Sequence, residues 1–146
     1  MPLDPDQPVD YAQLSWPILP VLDKTVIWAI LHQEIPDMVV NQLLWKALGY
    51  QYDALTQTWD IGKVAAGWLT DYPQPPNFIA GRPASVKLTR SIPATDKQLL
   101  KEYLGFKGYK IGEFGPAETR RATAANWLLS YLKQTVGLPP IDPTTD

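Results

Sequence analysis

The sequence predicts a helix-dominated α+β fold, in which two similar helix–helix–hairpin–helix units pack as one domain with short antiparallel strands. The chain has 146 residues, of which 45% are hydrophobic and 19% are charged, a balance typical of one globular domain with a single core. Apolar residues recur at helical spacing in several segments. Three motifs also recur in the same order at offsets of 57, 56 and 59 residues, which favours two similar units.

Proline sets the expected boundaries, because it interrupts helices and is enriched in extended connectors. Prolines cluster at both ends of the chain and in the segment YPQPPNF near its middle. We expect a proline-rich N-terminal arm at residues 1–22, one globular domain at 23–136 with pseudo-repeats at about 24–72 and 82–131 and a connector at 73–81, and a flexible tail at 137–146.

Two helices open the first unit. Asp23 is placed to cap the first helix, which we expect to end near Ile35, just before a proline. Asp37 is then placed to cap a second helix, and Gly49 supplies a left-handed stop with Tyr50 packing back on the last turn.

Short strands are expected around the helices. Aromatic and β-favouring residues flank a polar turn near residues 50–59, which predicts a hairpin, and a third, shorter helix follows through 64–69. Further strands are candidates at 86–90 and 109–114. The segment 86–90 stays open, because its alternation favours a strand whereas Pro83 permits a helix.

The last helix, from Pro116 to about Thr135, is expected to be the central packing element. Arg120 and Arg121 flank its apolar stripe near the N-terminal end. The stripe consists of Ala117, Ala124, Trp127, Leu128, Tyr131 and Leu132.

The repeat has an ordinary competing explanation. The motifs are Ile-Pro, Leu-Leu-x-x-x-Leu-Gly-aromatic and Ala-Ala-x-Trp-Leu-x-x-Tyr. They begin at Ile35, Leu43 and Ala65 in the first half and at Ile92, Leu99 and Ala124 in the second. A leucine pair before a glycine and an aromatic residue is common at helix ends, but this does not account for three matches in order.

Composition removes most catalytic chemistry. The chain has no cysteine and a single histidine, His32, so disulfides, thiolate nucleophiles and cysteine-based metal sites are excluded. No spacing of serine, lysine or carboxylate residues marks a nucleophile with its base, and we assign no catalytic residue, metal or cofactor. Glu113 and His32 are the two groups to inspect for an acid or base role, and the histidine is better explained as a packed or surface residue.

Membrane association is not expected. The longest apolar run, residues 26–31, is too short to cross a bilayer, and the acidic, proline-rich start lacks the features of a signal peptide. We therefore expect a soluble cytoplasmic protein.

The net charge of −2 conceals two oppositely charged halves. Residues 1–77 hold three lysines and nine acids, a charge of −6, whereas residues 78–136 hold ten basic residues and four acids, a charge of +6. The tail adds −2 through Asp142 and Asp146. Such a split is typical either of solvated faces or of a surface that steers a charged partner, and it also permits head-to-tail self-association.

A glycine-rich basic loop leads into the last helix. Glycines let backbone N–H groups approach an anion, and the exposed N–H groups at a helix N-terminus favour phosphate or carboxylate. The alternative is structural, with glycines making tight turns and lysines facing water. The candidate anion- or partner-binding residues are Lys107, Lys110, Arg120, Arg121, Arg90, Lys87, Gly108, Gly112 and Gly115.

These features favour a non-catalytic binding or assembly module that contacts an acidic protein partner or a phosphate-bearing ligand. Nucleic-acid binding is the alternative, and a small-molecule enzyme is the third hypothesis. The basic residues that keep nucleic acid open are Arg82, Lys87, Arg90, Lys97, Lys101, Lys107, Lys110, Arg120 and Arg121.

The chain resembles a known family through the segments RPASVKLTRSIP, LLKEYLGFKGYKIGEFGP and TRRATAANWLLSYLK, and more loosely through VNQLLWKALGYQYD. This family of small proteins from cyanobacteria and chloroplasts is catalogued as domain of unknown function 1823, and the resemblance covers roughly residues 24–134. It implies a cytoplasmic or stromal protein of an oxygenic phototroph. It implies no activity, cofactor or catalytic residue.

Overall fold

A computed structural model describes residues 19–53, 55–109 and 115–138. Within these ranges the predicted helix-dominated α+β fold is confirmed. The elements in chain order are α1 (Lys24–Leu31), α2 (Asp37–Leu48), β1 (Gln51–Asp53), β2 (Thr58–Asp60), α3 (Ala66–Asp71), α4 (Arg82–Ser91), a 3-10 turn (Ala94–Asp96), α5 (Leu99–Glu102) and α6 (Pro116–Thr135).

Helix α1 begins where the sequence predicts and ends earlier. The Asp23 carboxylate accepts a hydrogen bond from the backbone N–H of Val26 at 2.9 Å, which confirms it as the N-cap. The helix stops at Leu31 and not near Ile35, because Gln33 turns the backbone into the left-handed region with φ of 60°.

The start of α2 corrects one expectation. Pro36 occupies the N-cap position, so Asp37 is the first helical residue and not the cap. The predicted stop at Gly49 is confirmed, with φ of 106°. The N–H of Tyr50 donates to the carbonyl of Trp45 at 2.9 Å, which closes the last turn as expected.

The hairpin is confirmed as an antiparallel pair of β1 and β2, with Tyr52 opposite Trp59. Helix α3 follows, as predicted for a third short helix. The strand option for residues 86–90 is wrong, because these residues lie in α4, whose Ala84 and Leu88 are buried on one helical face. Of the strand considered at 109–114, Tyr109 lies in no strand and the other residues are outside the described ranges.

Helix α6 is the central packing element, as predicted, and it contacts α1, α2, α4 and α5. Ala124 and Leu128 are buried as expected. The stripe differs in detail, because Ala117 is exposed in the first turn while Ala125 and Leu129 are buried. A helix that packs against four others buries a wider arc than one apolar stripe.

The connector contributes to the core. Phe78 is fully buried and Ile79 is 2% exposed, both within the hydrophobic core. The indole N–H of Trp45 donates to the carbonyl of Pro76 at 2.6 Å. The carboxamide of Asn41, on the buried face of α2, accepts from the N–H of Phe78 at 2.8 Å. The connector is therefore fastened to α2 by burial and by hydrogen bonds.

The two-unit repeat stays a prediction. Helix α5 has 4 residues where its counterpart α2 has 12. The segment that would correspond to the hairpin falls partly within 110–114, outside the described residues.

Candidate functional site

The candidate site is a groove between α4 and α6, which we call the α4–α6 groove. It consists of two adjoining depressions of about 710 and about 550 Å³ that share Thr89, Thr119 and Thr123 in their walls. The first depression extends to α5 and to the loop that follows it, and the second extends to the N-terminus of α6. The groove thus follows the length of α4, which at 1.5 Å per residue spans about 15 Å.

The groove is lined by positive charge. Five cationic side chains contribute to its walls, and none of the described residues that line it is acidic. The cations are Arg82, Lys97, Lys101, Lys107 and Arg120. Lys101 and Lys107 are exposed, and the ammonium group of neither forms a hydrogen bond or an ion pair with another described residue. Their ammonium groups are therefore free, within this part of the chain, to meet an anion.

Two of the cations are partly engaged. The guanidinium of Arg120 donates to the carbonyls of Ile79 and Ala80 at 3.0 and 3.3 Å, which fixes it at the rim. The ammonium of Lys97 donates to the carbonyl of Thr89. These contacts to neutral carbonyls leave both positive charges uncompensated, so they contribute to the potential in the groove.

The wall of the larger depression combines apolar and polar groups. Its apolar residues are Ile92, Leu100, Phe106 and Ala122. Two hydroxyl groups in the shared wall donate back to their own helices, Thr89 to the carbonyl of Ser85 and Thr119 to that of Gly115, both at 3.0 Å. Their oxygens can accept a hydrogen bond from solvent or from an N–H group of a ligand, so the groove offers cations, apolar side chains and hydrogen-bond acceptors.

A buried polar network fixes the α5 end of the groove. The carboxylate of Asp96 accepts from the hydroxyl of Ser130 at 2.7 Å and from the ammonium of Lys133. The hydrogen bond from Lys133, followed by that from Ser130, holds the pKa of Asp96 below its usual value. The carboxamide of Asn126, on α6, links the 3-10 turn to α5. It donates to the carbonyl of Asp96 at 3.0 Å and accepts from the N–H of Leu100 at 3.1 Å. This network positions α5 and its lysine.

The predicted site residues do not all come together. Lys107, Arg120 and Gly115 line the α4–α6 groove. Lys87 and Arg90 line a different depression of about 500 Å³ on the other side of α4, next to α3. There the ammonium of Lys87 contacts the carboxylate of Asp71 at 2.6 Å and lies 5.2 Å from the ring centre of Trp68. Lys110, Gly112 and Glu113 lie outside the described residues, and Gly108 lies in the loop after α5 with a left-handed φ of 91°.

Arg121 faces the protein interior. Its side chain is 7% exposed, and its guanidinium donates to the carbonyl of Ile30 at 3.1 Å, to that of Ile35, and to the carboxylate of Asp37 at 2.9 Å. One residue along a helix rotates the side chain by about 100°, so Arg120 and Arg121 point to different surroundings. Arg121 thus joins α1, α2 and α6 and does not line the groove.

The N-terminus of α6 already carries a negative group. Gly115 is the N-cap and Pro116 opens the helix, both as predicted. A Cβ atom at Gly115 would lie 2.9 Å from a carboxylate oxygen of Glu118, which shows that this side chain folds back toward the helix start. A carboxylate at this position interacts favourably with the helix dipole and repels a second anion. The groove cations, and not the helix terminus, are the anion-attracting feature.

His32 is a surface residue, as its position predicts. Its side chain is 56% exposed, its ring centre lies 5.3 Å from that of Trp28, and its Nδ1 atom is 3.9 Å from Glu34. Within residues 19–53, 55–109 and 115–138, no cluster of three or more histidine, aspartate or glutamate side chains is placed to hold a metal ion.

Arg82, Lys97 and Lys101 belong by sequence only to the basic residues that keep nucleic-acid binding open. The threonines and Phe106 are not among the residues that the sequence predicts for the site. The spacing of Thr119 and Thr123, four residues apart on α6, was a usable signal, since such residues share a helical face. Their proximity to α4 follows only from tertiary packing.

Comparisons with known proteins extend these observations. A protein-family model described as a domain of unknown function (DUF1823) matches residues 20–133. A solved protein structure, determined by solution NMR, is 54% identical in sequence with a TM-score of 0.70, and the match covers 79% of this chain and 96% of that chain. A search of curated proteins found no match. No described helix is long and apolar enough to cross a membrane.

Proposed function

The chain belongs to the family of domain of unknown function 1823, whose description names no activity, and we propose that it is a non-catalytic module that binds an acidic segment of a partner protein in the α4–α6 groove. The observation that carries this proposal is that five cationic side chains line one groove, with no acidic side chain among the described residues of its walls.

The size and lining of the groove support a short extended segment. At about 3.3 Å per residue, a length of about 15 Å holds four or five residues of extended chain. Each exposed ion pair contributes only about 0.2–1 kcal/mol, so charge alone gives weak binding that salt suppresses. An apolar side chain of the partner, packed against Phe106 and Leu100, adds the remaining affinity.

One observation favours a protein partner over nucleic acid. Phe106 is the one aromatic residue among the described residues of the groove walls, whereas single-stranded nucleic acid is usually held by several stacked aromatic rings. Nucleic-acid binding remains the alternative, supported by the same cations.

A charge-reversal experiment tests the proposal. The probe is a fluorescein-labelled oligoglutamate peptide with a central leucine, followed by fluorescence anisotropy at about 0.01 and 0.15 M salt. The Lys101→Glu, Lys107→Glu variant is expected to bind at least about tenfold more weakly, equivalent to about 1.4 kcal/mol. The matched control is Lys46→Glu, Lys63→Glu, which reverses two exposed lysines of the acidic half.

Circular dichroism checks that both variants keep their helix content. Equal peptide binding by the wild type and the folded groove variant would contradict the proposal. A single-stranded RNA or DNA oligomer is titrated in parallel at the same two salt concentrations. If it binds with a steep salt dependence while the peptide does not, the nucleic-acid alternative replaces the acidic partner.

Self-association is a second candidate, favoured by the opposite charges of the two halves. It predicts that sedimentation at low salt depends on protein concentration, and that the groove variant abolishes this dependence. A cytoplasmic location accompanies the proposal and is tested by fractionation of the native cell.

A further inference from the structure

The N-terminal arm is itself an acidic segment. Residues 1–22 contain Asp4, Asp6 and Asp10 but no lysine or arginine, together with five prolines. The family match begins at residue 20, so the three aspartates lie outside the matched domain. The arm therefore has the composition that we propose for the partner of the groove, within the same chain.

The arm joins the domain next to the groove. Leu19 and Leu22 pack against the core, and α1 starts two residues later. The ammonium of Lys24 lies 5.9 Å from the ring centre of Tyr103, which directly follows α5. One turn further along α1, the ring of Trp28 lies 6.1 Å from that of Phe106, a groove residue. The first turns of α1 are thus adjacent to the α5 end of the groove.

The arm is long enough to reach the cations. A fully extended chain spans at most about 3.3–3.6 Å per residue, so the nine residues from Asp10 to Leu19 reach up to about 30 Å. This exceeds the length of the groove, about 15 Å.

We propose that the acidic arm occupies the α4–α6 groove of its own molecule and competes with the acidic segment of the partner. This inference rests on the proposed function of the groove. Because a short tether gives an effective concentration of about millimolar, a contact too weak to form between separate molecules still occupies the groove substantially. The arm therefore sets a threshold that a partner must exceed.

The first experiment compares two neutralised full-length chains with the wild type. The arm variant is Asp6→Asn, Asp10→Asn, and the matched control, Asp142→Asn, Asp146→Asn, removes the same number of acidic groups from the other end of the chain. We expect the arm variant to bind the oligoglutamate peptide about threefold or more tightly at low salt, and the control to bind as the wild type does. Equal binding by the two variants, or tighter binding by the control alone, overturns the inference.

The second experiment detects the contact without a peptide. The chain has no cysteine, so Gln7→Cys accepts a single nitroxide spin label. We expect paramagnetic broadening of the backbone amide signals of Lys101, Phe106 and Thr123 at low salt. The signals of the β1–β2 hairpin stay sharp, and adding Lys101→Glu and Lys107→Glu removes the broadening.

The two experiments separate the possible failures. Broadening at the groove, with no peptide binding by any variant, contradicts the proposed function and leaves the arm contact standing. If the arm variant and the wild type bind the peptide equally and no broadening is seen, the arm contact is overturned and the proposed function stands. Broadening of an isotope-labelled chain by a separate spin-labelled chain assigns the contact to a second copy and overturns occupancy by the chain's own arm.

Discussion

Replacement of Arg121 by methionine is expected to destabilise the fold, although Arg121 belongs to the candidate binding residues by sequence. Its guanidinium donates to the carbonyls of Ile30 and Ile35 and to the carboxylate of Asp37. Arg121→Met keeps an unbranched side chain of similar length and removes all three donations. The substitution therefore tests the hydrogen bonds more than the packing.

The three hydrogen bonds of Arg121 contribute unequally to the free energy of unfolding. The carbonyl of Ile35 has no other donor among the described residues, and an unsatisfied buried acceptor costs about 1–3 kcal/mol. The carbonyl of Ile30 keeps the N–H of Gln33 at 3.2 Å, so its loss is smaller, about 0.5–1.5 kcal/mol. The pair with Asp37, whose side chain is 58% exposed, contributes below about 1 kcal/mol. Relief of the cost of burying a cation offsets part of this, leaving a net loss of about 2–4 kcal/mol.

Urea unfolding followed by tryptophan fluorescence measures this loss, with the dependence on urea fitted separately for each variant. Arg121→Lys is expected to recover only part of it, since one ammonium cannot span three acceptors in a planar fork. The control Asp37→Ala removes the exposed partner alone and is expected to cost no more than about 1 kcal/mol. If Arg121→Met costs no more than Asp37→Ala, the interior role of Arg121 is refuted.

Three further substitutions are expected to have distinct effects on unfolding. Gly49→Ala is expected to lower the free energy of unfolding by about 2–4 kcal/mol, because φ is 106° and a Cβ atom would lie 2.6 Å from the backbone oxygen of Lys63. Gly67→Ala, whose Cβ atom would have nothing within 4 Å, is expected to be neutral or stabilising by up to about 1 kcal/mol. Asp96→Asn is expected to destabilise the protein near neutral pH. Because folding lowers the pKa of Asp96, its carboxylate contributes fully to stability above about pH 3.9, and this contribution is lost as the pH falls through the folded pKa. The unfolding free energies of Asp96→Asn and the wild type, measured in urea, should therefore converge in acid. A difference that stays constant with pH would argue against the ion pair with Lys133. Asn41→Ala leaves a buried connector N–H without its acceptor and is expected to cost about 1–3 kcal/mol, with faster hydrogen exchange at that amide; unchanged exchange would count against the anchoring of the connector.

Local signals in the sequence were reliable where one residue controls one piece of backbone. Asp23 and Gly49 mark the beginning of α1 and the end of α2 because a capping carboxylate and a left-handed glycine act on the nearest turn. Residues 86–90 were ambiguous because five residues fit both a strand and a helix, and burial of one face of α4 against α6 decided for the helix.

The candidate site could be predicted only in part, because the charge of a residue does not reveal whether its side chain points into the groove or into the interior. Arg120 and Arg121 are adjacent and chemically identical, yet one lines the groove and the other binds carbonyls in the interior. Their separation depends on which face of α6 meets α1 and α2, and no short sequence window contains that information. Lys101 joins the groove through the buried network at Asp96, which is equally non-local.

The burial of the connector has a consequence for dividing the chain. Phe78 and Ile79 lie in the same hydrophobic core as residues of α1, α2 and α6, so neither half keeps a closed core when it is separated from the other. A cut before the connector and a cut after it would each remove apolar groups that the opposite half needs. We therefore expect the two halves, made separately, to fold only when they are mixed, with the opposite charges of their sequences favouring their association.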